Sequence, residues 1–484
     1  MRPFHVLITL LILSSTSLAQ QVVHPDTAYA EAHLIQKKAN GFRGIWYMNQ
    51  PSNDVYVYKY SGGLATYPAN HRPFAIYAEK VKKTFFCFGG TDEKNTTLLH
   101  NVSYYDHRSG KVANPTILLD KKTTDAHDNP VISIDDDGYI WIFSTSHGTA
   151  RPSYISKSRK PYNIKKFDTI NATEKVGTAT KAFNNFSYFQ VYYLSGKGFI
   201  ALFTKYNHKG QRVIGFNTSK NGINWNEWQV LAHIEDGHYQ ISAKQNGKIG
   251  VAFDYHPKGK GLNYRTNLYY LETTDFGETW KTASGEAVQL PLTDKHNPAL
   301  VNDYATSKLN SYLLDINFDE GSRPLILTIT SKGYQAGPQN APRNWILSNF
   351  KHGQWSNHIV TQSDSNYDMG SLYPEEGEHI SIIGPTLDGP QAFNPGGEIA
   401  KWSSKDGGET WEMTQLTKNS TMNHGYVRRP LQAQPDFYGI WADGDARKPS
   451  PSHLYFMHAD GAIFQLPIER TKKLIKPLAQ TLQP

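Results

Sequence analysis

Cysteine is nearly absent from this chain of 484 residues, where Cys87 stands alone. One thiol excludes a disulfide scaffold and, with it, cysteine-rich zinc sites. Beyond the first residues, no stretch reaches the ~18 uncharged apolar residues that a spanning helix needs. The G-x-S-x-G elbow, the Walker loop, the dinucleotide fingerprint and H-E-x-x-H are missing as well, and with them the usual signatures of those chemistries. Neither charge sign dominates: 50 basic residues face 43 acidic ones, a formal charge of +7. The basic residues are scattered among acids, which argues against a nucleic-acid partner, while the mild excess suits an acidic substrate. What the chain does have is aromatic mass. Its 29 Tyr, 22 Phe and 10 Trp exclude low-complexity disorder, because they need surfaces to bury against.

The start of the chain reads as an export signal. Met1-Arg2-Pro3 carries one positive charge, and Val6 to Leu13 is an uncharged apolar run too short to span a membrane. Ser17-Leu18-Ala19 fits the small-x-small cleavage rule, which places the cut before Gln20 and leaves residues 1–19 as a signal peptide. A lipid anchor would need a cysteine at the cut, and Gln20 is there instead. The expected mature protein is secreted or periplasmic, soluble, free of membrane attachment and monomeric.

From Gly41 onward the texture is uniform. A polar lead over residues 20–40 holds the one helix expected near the start, Ala28 to Lys38. Residues 41–470 then read as a single all-β domain, followed by a tail over 471–484. Runs of β-branched and aromatic residues alternate with Gly, Asn and Asp clusters. Examples are Tyr139 to Ser144, Phe199 to Thr204, Ile249 to Tyr255, Leu268 to Thr273, Leu325 to Thr330 and Ile463 to Leu466. Asp137-Gly138, Asn246-Gly247 and Asp460-Gly461 supply hairpin turns just before three of these runs.

A short element recurs. Thr273 to Trp280 and Ser404 to Trp411 share the form S/T-x-D-x-G-x-T-W, and Thr218 to Trp225 is a degenerate third copy. Asp and Gly make a tight turn while Trp folds back beneath it. Such Asp boxes point to a β-propeller, a fold that leaves few exposed sheet edges. The length available for four-stranded blades predicts seven or eight of them. Asp boxes sit away from the central channel, so they report fold and not chemistry.

Two histidines stand out. His127 lies in the turn-prone Asp125 to Pro130, ahead of the strand Val131 to Ile134, and His147 follows the next strand, Tyr139 to Phe143. A turn over Asp135 to Gly138 makes these strands an antiparallel hairpin, which puts both imidazoles on one rim. That arrangement suits acid/base work near neutral pH. The next blade carries Tyr188, then Lys205, His208 and Arg212. A phenol can serve as acid and base if nearby cations lower its pKa, and Lys205 and Arg212 are the local candidates. His238-Tyr239 and the segment with Arg265 and Asn267 repeat a polar, aromatic and cationic texture fit for sugar rings and their anionic groups.

Taken together, the Asp boxes, DAHDNP with STSHG, SYFQ, GHYQ, NYRTNLYY, YDMGSLY, GPQAFNPGGEIAKW and NHGYVRRP resemble the BNR-repeat propeller family. That family includes the ulvan lyases, particularly those of polysaccharide lyase family 25. The resemblance runs from about Gly41 to Pro467. It implies a seven-bladed propeller that cleaves ulvan, a sulfated rhamnose–uronate polymer, by β-elimination with 4,5-unsaturated uronate ends. It also implies a histidine pair (His127 and His147), a tyrosine (Tyr188) and a basic residue. The family's Tyr-Pro-Gln reads Tyr188-Phe189-Gln190 here, and Lys205 stands where an arginine is usual, with Arg212 following.

Elimination removes the C5 proton of a uronate and expels the oxygen at C4. A cation must neutralise the carboxylate, a base must take the proton and an acid must protonate the leaving oxygen. His127 is the leading base and Tyr188 the acid, with their order left open. His147 with Lys205 or Arg212 would neutralise the carboxylate, and His238, Tyr239, Arg265 and Asn267 would bind substrate. No cofactor is required, and a structural metal ion is left open. Two other readings stand beside this one: an exo-acting rhamnosidase on rhamnose–glucuronate linkages, and a non-catalytic carbohydrate-binding propeller.

Overall fold

Pairing partners, more than local propensity, decide what each segment becomes. In a computed structural model the described residues are 33–64, 71–148, 151–206, 212–469 and 474–480. The signal peptide, its cut before Gln20, and His208 lie outside them.

The strand-like runs all form strands. Ile140–Ser144, Gly198–Tyr206, Lys248–Tyr255, Thr266–Thr273, Pro324–Ser331 and Ile463–Leu466 contain or nearly match the segments read from sequence. At Asn246-Gly247 the φ angles are +48° and +79°, and Gln245 pairs directly with Lys248. A two-residue turn of this hand needs positive φ at both positions, which Asn and Gly tolerate best. The helix expected over Ala28 to Lys38 is not found where it can be described. Leu34–Lys38 is a strand that pairs antiparallel with Thr116–Asp120, so ladder hydrogen bonds override helical propensity.

Among the described residues, seven antiparallel meanders follow one another along the chain. The first uses Ala75–Ala78, Lys83–Thr91, Leu98–Asp106 and Thr116–Asp120. The second uses Pro130–Ile134, Ile140–Ser144, Tyr154–Ser158 and Phe167–Ile170, and the third Ser187–Leu194, Gly198–Tyr206, Arg212–Ser219 and Gln229–Ala232. The next three open with Gln240–Gln245, Asn310–Phe318 and Ser371–Pro374, and the last spans Asn423–His424 to Ile463–Leu466. Parallel bridges link Arg72 to Gln190 and Ile76 to Leu431. Phe42 N donates to Pro467 O at 2.9 Å and Gly44 N to Ser452 O at 3.0 Å, so the first described turns are stitched to the last meander. Aromatic side chains fill the space between neighbouring sheets: Phe143, Phe189, Phe199 and Trp225 form one such contact, with the ring centroids of touching pairs 5.3–6.5 Å apart.

The Asp boxes are self-contained turns. Asp275 Oδ1 accepts from Thr273 Oγ1 at 2.7 Å and from Thr279 N at 2.9 Å, while Oδ2 accepts from Thr279 Oγ1 at 2.5 Å. Asp406 repeats the pattern with Ser404 and Thr410. Trp280 is buried beneath its turn. Asp275→Ala is expected to lower stability by about 1–2 kcal/mol and leave turnover unchanged. A denaturation midpoint measured beside a rate assay checks both parts.

Candidate active site

The second meander builds the centre of the site. Pro130 pairs with Ser144 at the end of the hairpin, so the residues just outside that pair, His127 and His147, meet on one rim. Their rings stack with centroids 3.9 Å apart and planes 11° from parallel. Asp125 holds them there. It caps a single helical turn, Ala126–Asp128, by accepting from His127 N at 3.0 Å. Its Oδ1 also accepts from His127 Nδ1 at 2.6 Å, and its Oδ2 from His147 Nδ1 at 2.8 Å. Arg151 closes the back of the cluster, donating through Nη2 to Asp125 Oδ2 at 2.7 Å and through Nε and Nη2 to Asp128 at 2.8 Å.

These contacts set protonation. Burial alone would raise the Asp125 pKa, but hydrogen bonds from both histidines hold its carboxyl well below the usual range. Burial lowers the His127 pKa below 6.5 and outweighs the hydrogen bond to Asp125, with stacked His147 acting in the same direction. Because each Nδ1–H is turned to the carboxylate, each imidazole keeps its Nε2 lone pair for other work. His127 is buried, whereas the side chain of His147 is 35% exposed. Asp125→Asn keeps the size of the side chain and weakens the anchor. Turnover is expected to fall about 10- to 100-fold, as when an outer hydrogen-bond partner of a working histidine is lost, with the fold retained by circular dichroism.

Tyr188 stands at the next corner. It opens the strand Ser187–Leu194 at a bulge, with φ +52°, a strained backbone conformation for a non-glycine residue. Its ring meets His127 edge-on at 5.9 Å, Tyr239 at 5.5 Å and His71 at 5.6 Å. The Arg212 guanidinium lies over it at 5.4 Å, and over Tyr239 at 4.8 Å. Arg212 is buried and donates to Tyr206 Oη at 3.1 Å, while its Nε and Nη1 have no hydrogen-bond partner among the described residues. Lys205 is placed elsewhere. Glu174 takes its ammonium at 2.8 and 3.0 Å, and Trp228 covers it at 5.3 Å. Of the two cations considered for the carboxylate, Arg212 is the one beside the phenol.

The remaining expected binding residues divide. Tyr239 carries two guanidinium groups over its ring, Arg212 at 4.8 Å and Arg265 at 4.4 Å. Arg265 also covers Tyr312 at 4.8 Å and donates to Tyr367 Oη at 3.4 Å. His238 and Asn267 are not available to a ligand. His238 Nδ1 donates to Asp254 O at 2.6 Å and its Nε2 accepts from Ile234 N at 2.8 Å, and burial pushes the ring down to about 3. Asn267 spends Oδ1 on Ala305 N at 2.8 Å and its amide on Tyr269 Oη at 3.2 Å. Both are buried brackets for loops, so the expectation that they bind substrate is corrected. Beside them, burial pushes Asp254 up to about 7, against the pull of Arg265 and Arg212.

Sequence reasoning missed Asp125 and Arg151 as parts of the site, although both lie within the two quoted rim segments or just after them. Tyr47 was missed too: its hydroxyl lies 3.3 Å from His127 Nδ1. Asp125, His127 and His147 also hold ligand atoms within 4.8 Å of one another. Both Nδ1 atoms of that group are turned to the carboxylate.

Such a rim, with paired imidazoles, a phenol and buried guanidinium groups over a set of meanders, defines a carbohydrate-active class of β-repeat protein. The model for a BNR repeat-containing family member matches residues 91–363, more than half of the sequence, and the chain belongs to that family. It is 25% identical over 395 residues to an ulvan lyase of Nonlabens ulvanivorans, covering 73% of this chain and 77% of that one. It is 23% identical over 342 residues to a polysaccharide lyase family 25 ulvan lyase of Pseudoalteromonas sp. (strain PLSV), covering 62% and 65%. Among solved structures, a family 25 ulvan lyase bound to a GlcA(1-4)Rha3S unit superposes with a TM-score of 0.66 at 17% identity, over 87% of this chain and 96% of the other. That likeness supports the fold.

Proposed function

We propose that this chain is a secreted polysaccharide lyase that cleaves ulvan by β-elimination at the uronic acid, on a seven-bladed β-propeller. The observation that carries the reading is the convergence of His127, His147, Tyr188 and Arg212 on one rim. The seven successive meanders and the hydrogen bonds between the chain's first and last parts favour seven blades over eight. Similarity to ulvan lyases over most of the chain supports the substrate.

Arg212, buried with two donor atoms unpartnered among the described residues, meets the uronate carboxylate and makes the C5 proton removable. His127 takes that proton on Nε2. The C4–O bond breaks as the C4–C5 double bond forms, and the Tyr188 hydroxyl gives its proton to the leaving oxygen. His147, on the exposed side of the stack, faces the sugar, where its Nε2 accepts from a ring hydroxyl. Asp125 fixes both imidazoles and stabilises positive charge on His127 after transfer. A glycosidase would instead place two carboxylates across the bond, whereas Asp125 and Asp128 are both tied up by Arg151.

Incubation with ulvan is expected to produce the ultraviolet absorbance of 4,5-unsaturated uronate. Release of free rhamnose with no such absorbance would replace the lyase by a glycosidase. The pH profile carries a sign. The neutral form of His127 is the working one, and its pKa lies below 6.5, so kcat/KM is expected to hold as pH falls through 6.5 and drop only at lower pH. An acid limb centred above 6.5 would contradict the assignment of His127 as base.

A further inference from the structure

The strands that open at the histidine rim end at a second polar mouth. A cavity of about 560 Å³ is lined there by Tyr193, Lys244, Asn317, Tyr373, Arg429 and Tyr438, among others. Tyr188 begins and Tyr193 nearly ends the same strand, Ser187–Leu194, so roughly 15 Å of extended chain separates the two mouths.

Positive charge gathers at this second mouth. The Arg429 side chain is only 10% exposed, its Nη2 reaches Asp315 Oδ2 at 3.4 Å, and its Nε has no partner among the described residues. Asp315 is shared with Arg72, so one buried carboxylate faces two guanidinium groups. Lys244 donates to Tyr193 O at 2.5 Å, and burial lowers its pKa against the pull of Asp136. The nearby acids are engaged. Asp136 accepts from Gly196 N and Tyr193 Oη at 3.0 and 3.2 Å, and Glu375 accepts from Ser381 Oγ at 2.7 Å. Aromatic rings frame the cations. Tyr373 and Tyr438 stack at 4.3 Å with planes 19° apart, and half-buried Tyr193 flanks the opening.

We propose that this cavity is a second, non-catalytic site for an acidic sugar unit, whose sulfate or carboxylate meets Arg429 and Lys244 while its ring rests on tyrosine. Buried cations short of anions recognise oxyanions, and tyrosine supplies the flat apolar surface that pyranose rings pack against. The inference rests on the polysaccharide reading. Its consequence is retention: a polymer held at the far mouth raises the local concentration of cleavable chain at the first.

Calorimetric titration of the Tyr188→Phe protein with a sulfated rhamnose–uronate tetrasaccharide tests it. Two binding events are expected. Adding Arg212→Gln removes one of them, while Tyr438→Ala and Lys244→Gln each weaken the other by about tenfold or more. Tyr438 lies at the rim and serves as the variant least costly to folding. A desulfated tetrasaccharide assigns the anion: a retained second event points to the carboxylate, a lost one to the sulfate. A single event, abolished by Arg212→Gln and unmoved by Tyr438→Ala, would overturn the proposal. Failure of the lyase reading would show separately, as wild-type protein yielding no unsaturated product.

Discussion

Replacing His127 by alanine is expected to slow ulvan cleavage by about 10³-fold, within the range for removing a positioned base. The loss should fall on kcat, because His127 is buried behind the exposed His147 and contributes to proton transfer more than to ground-state binding. The space left below the His147 ring, which now stacks at 3.9 Å, is the size of an imidazole. Added free imidazole is therefore expected to restore part of the rate to His127→Ala and none to Tyr188→Phe. A merely structural histidine would show neither the selective loss in kcat nor the rescue.

Arg212→Gln is expected to cost about 10²–10³ in kcat/KM, the usual size for losing a preorganised charge at a developing anion. Arg212→Lys should recover little, since an ammonium cannot offer two parallel donors to a carboxylate and is more strongly hydrated. Stability should move the other way. The guanidinium is buried among Tyr188, Tyr206 and Tyr239 with two donor atoms unpaired among the described residues. Removing such a group relieves a desolvation cost, so thermal denaturation of Arg212→Gln is expected to be unchanged or raised. A protein that loses activity and also melts much earlier would mark Arg212 as structural.

The sequence made the strands legible because each run of β-branched and aromatic residues is bounded by turn residues of fixed backbone preference, as at Asn246-Gly247. The histidine rim was legible for the same reason. A tight hairpin converts spacing along the chain into proximity across it, so His127 and His147 could be placed together before any coordinates. The misses have a common cause. Leu34–Lys38 became a strand because of a partner about 80 residues on, Thr116–Asp120. Lys205 and Arg212 lie at neighbouring ends of two paired strands, and only contacts from other segments, Glu174 for one and Tyr188 with Tyr239 for the other, decide which faces the phenol. His238 and Asn267 have the composition of binding residues, yet their polar atoms are spent on loop backbone and a neighbouring hydroxyl, which no local pattern reveals.

The central claim is that His127, Tyr188 and Arg212 surround one uronate. A crystal structure of the Tyr188→Phe protein with an ulvan tetrasaccharide tests it most directly. The expected result is a uronate carboxylate in hydrogen-bond contact with Arg212, and C5 facing Nε2 of His127. A tetrasaccharide seated with no uronate at Arg212, or with C5 turned away from both the imidazole and the phenol position, would contradict it.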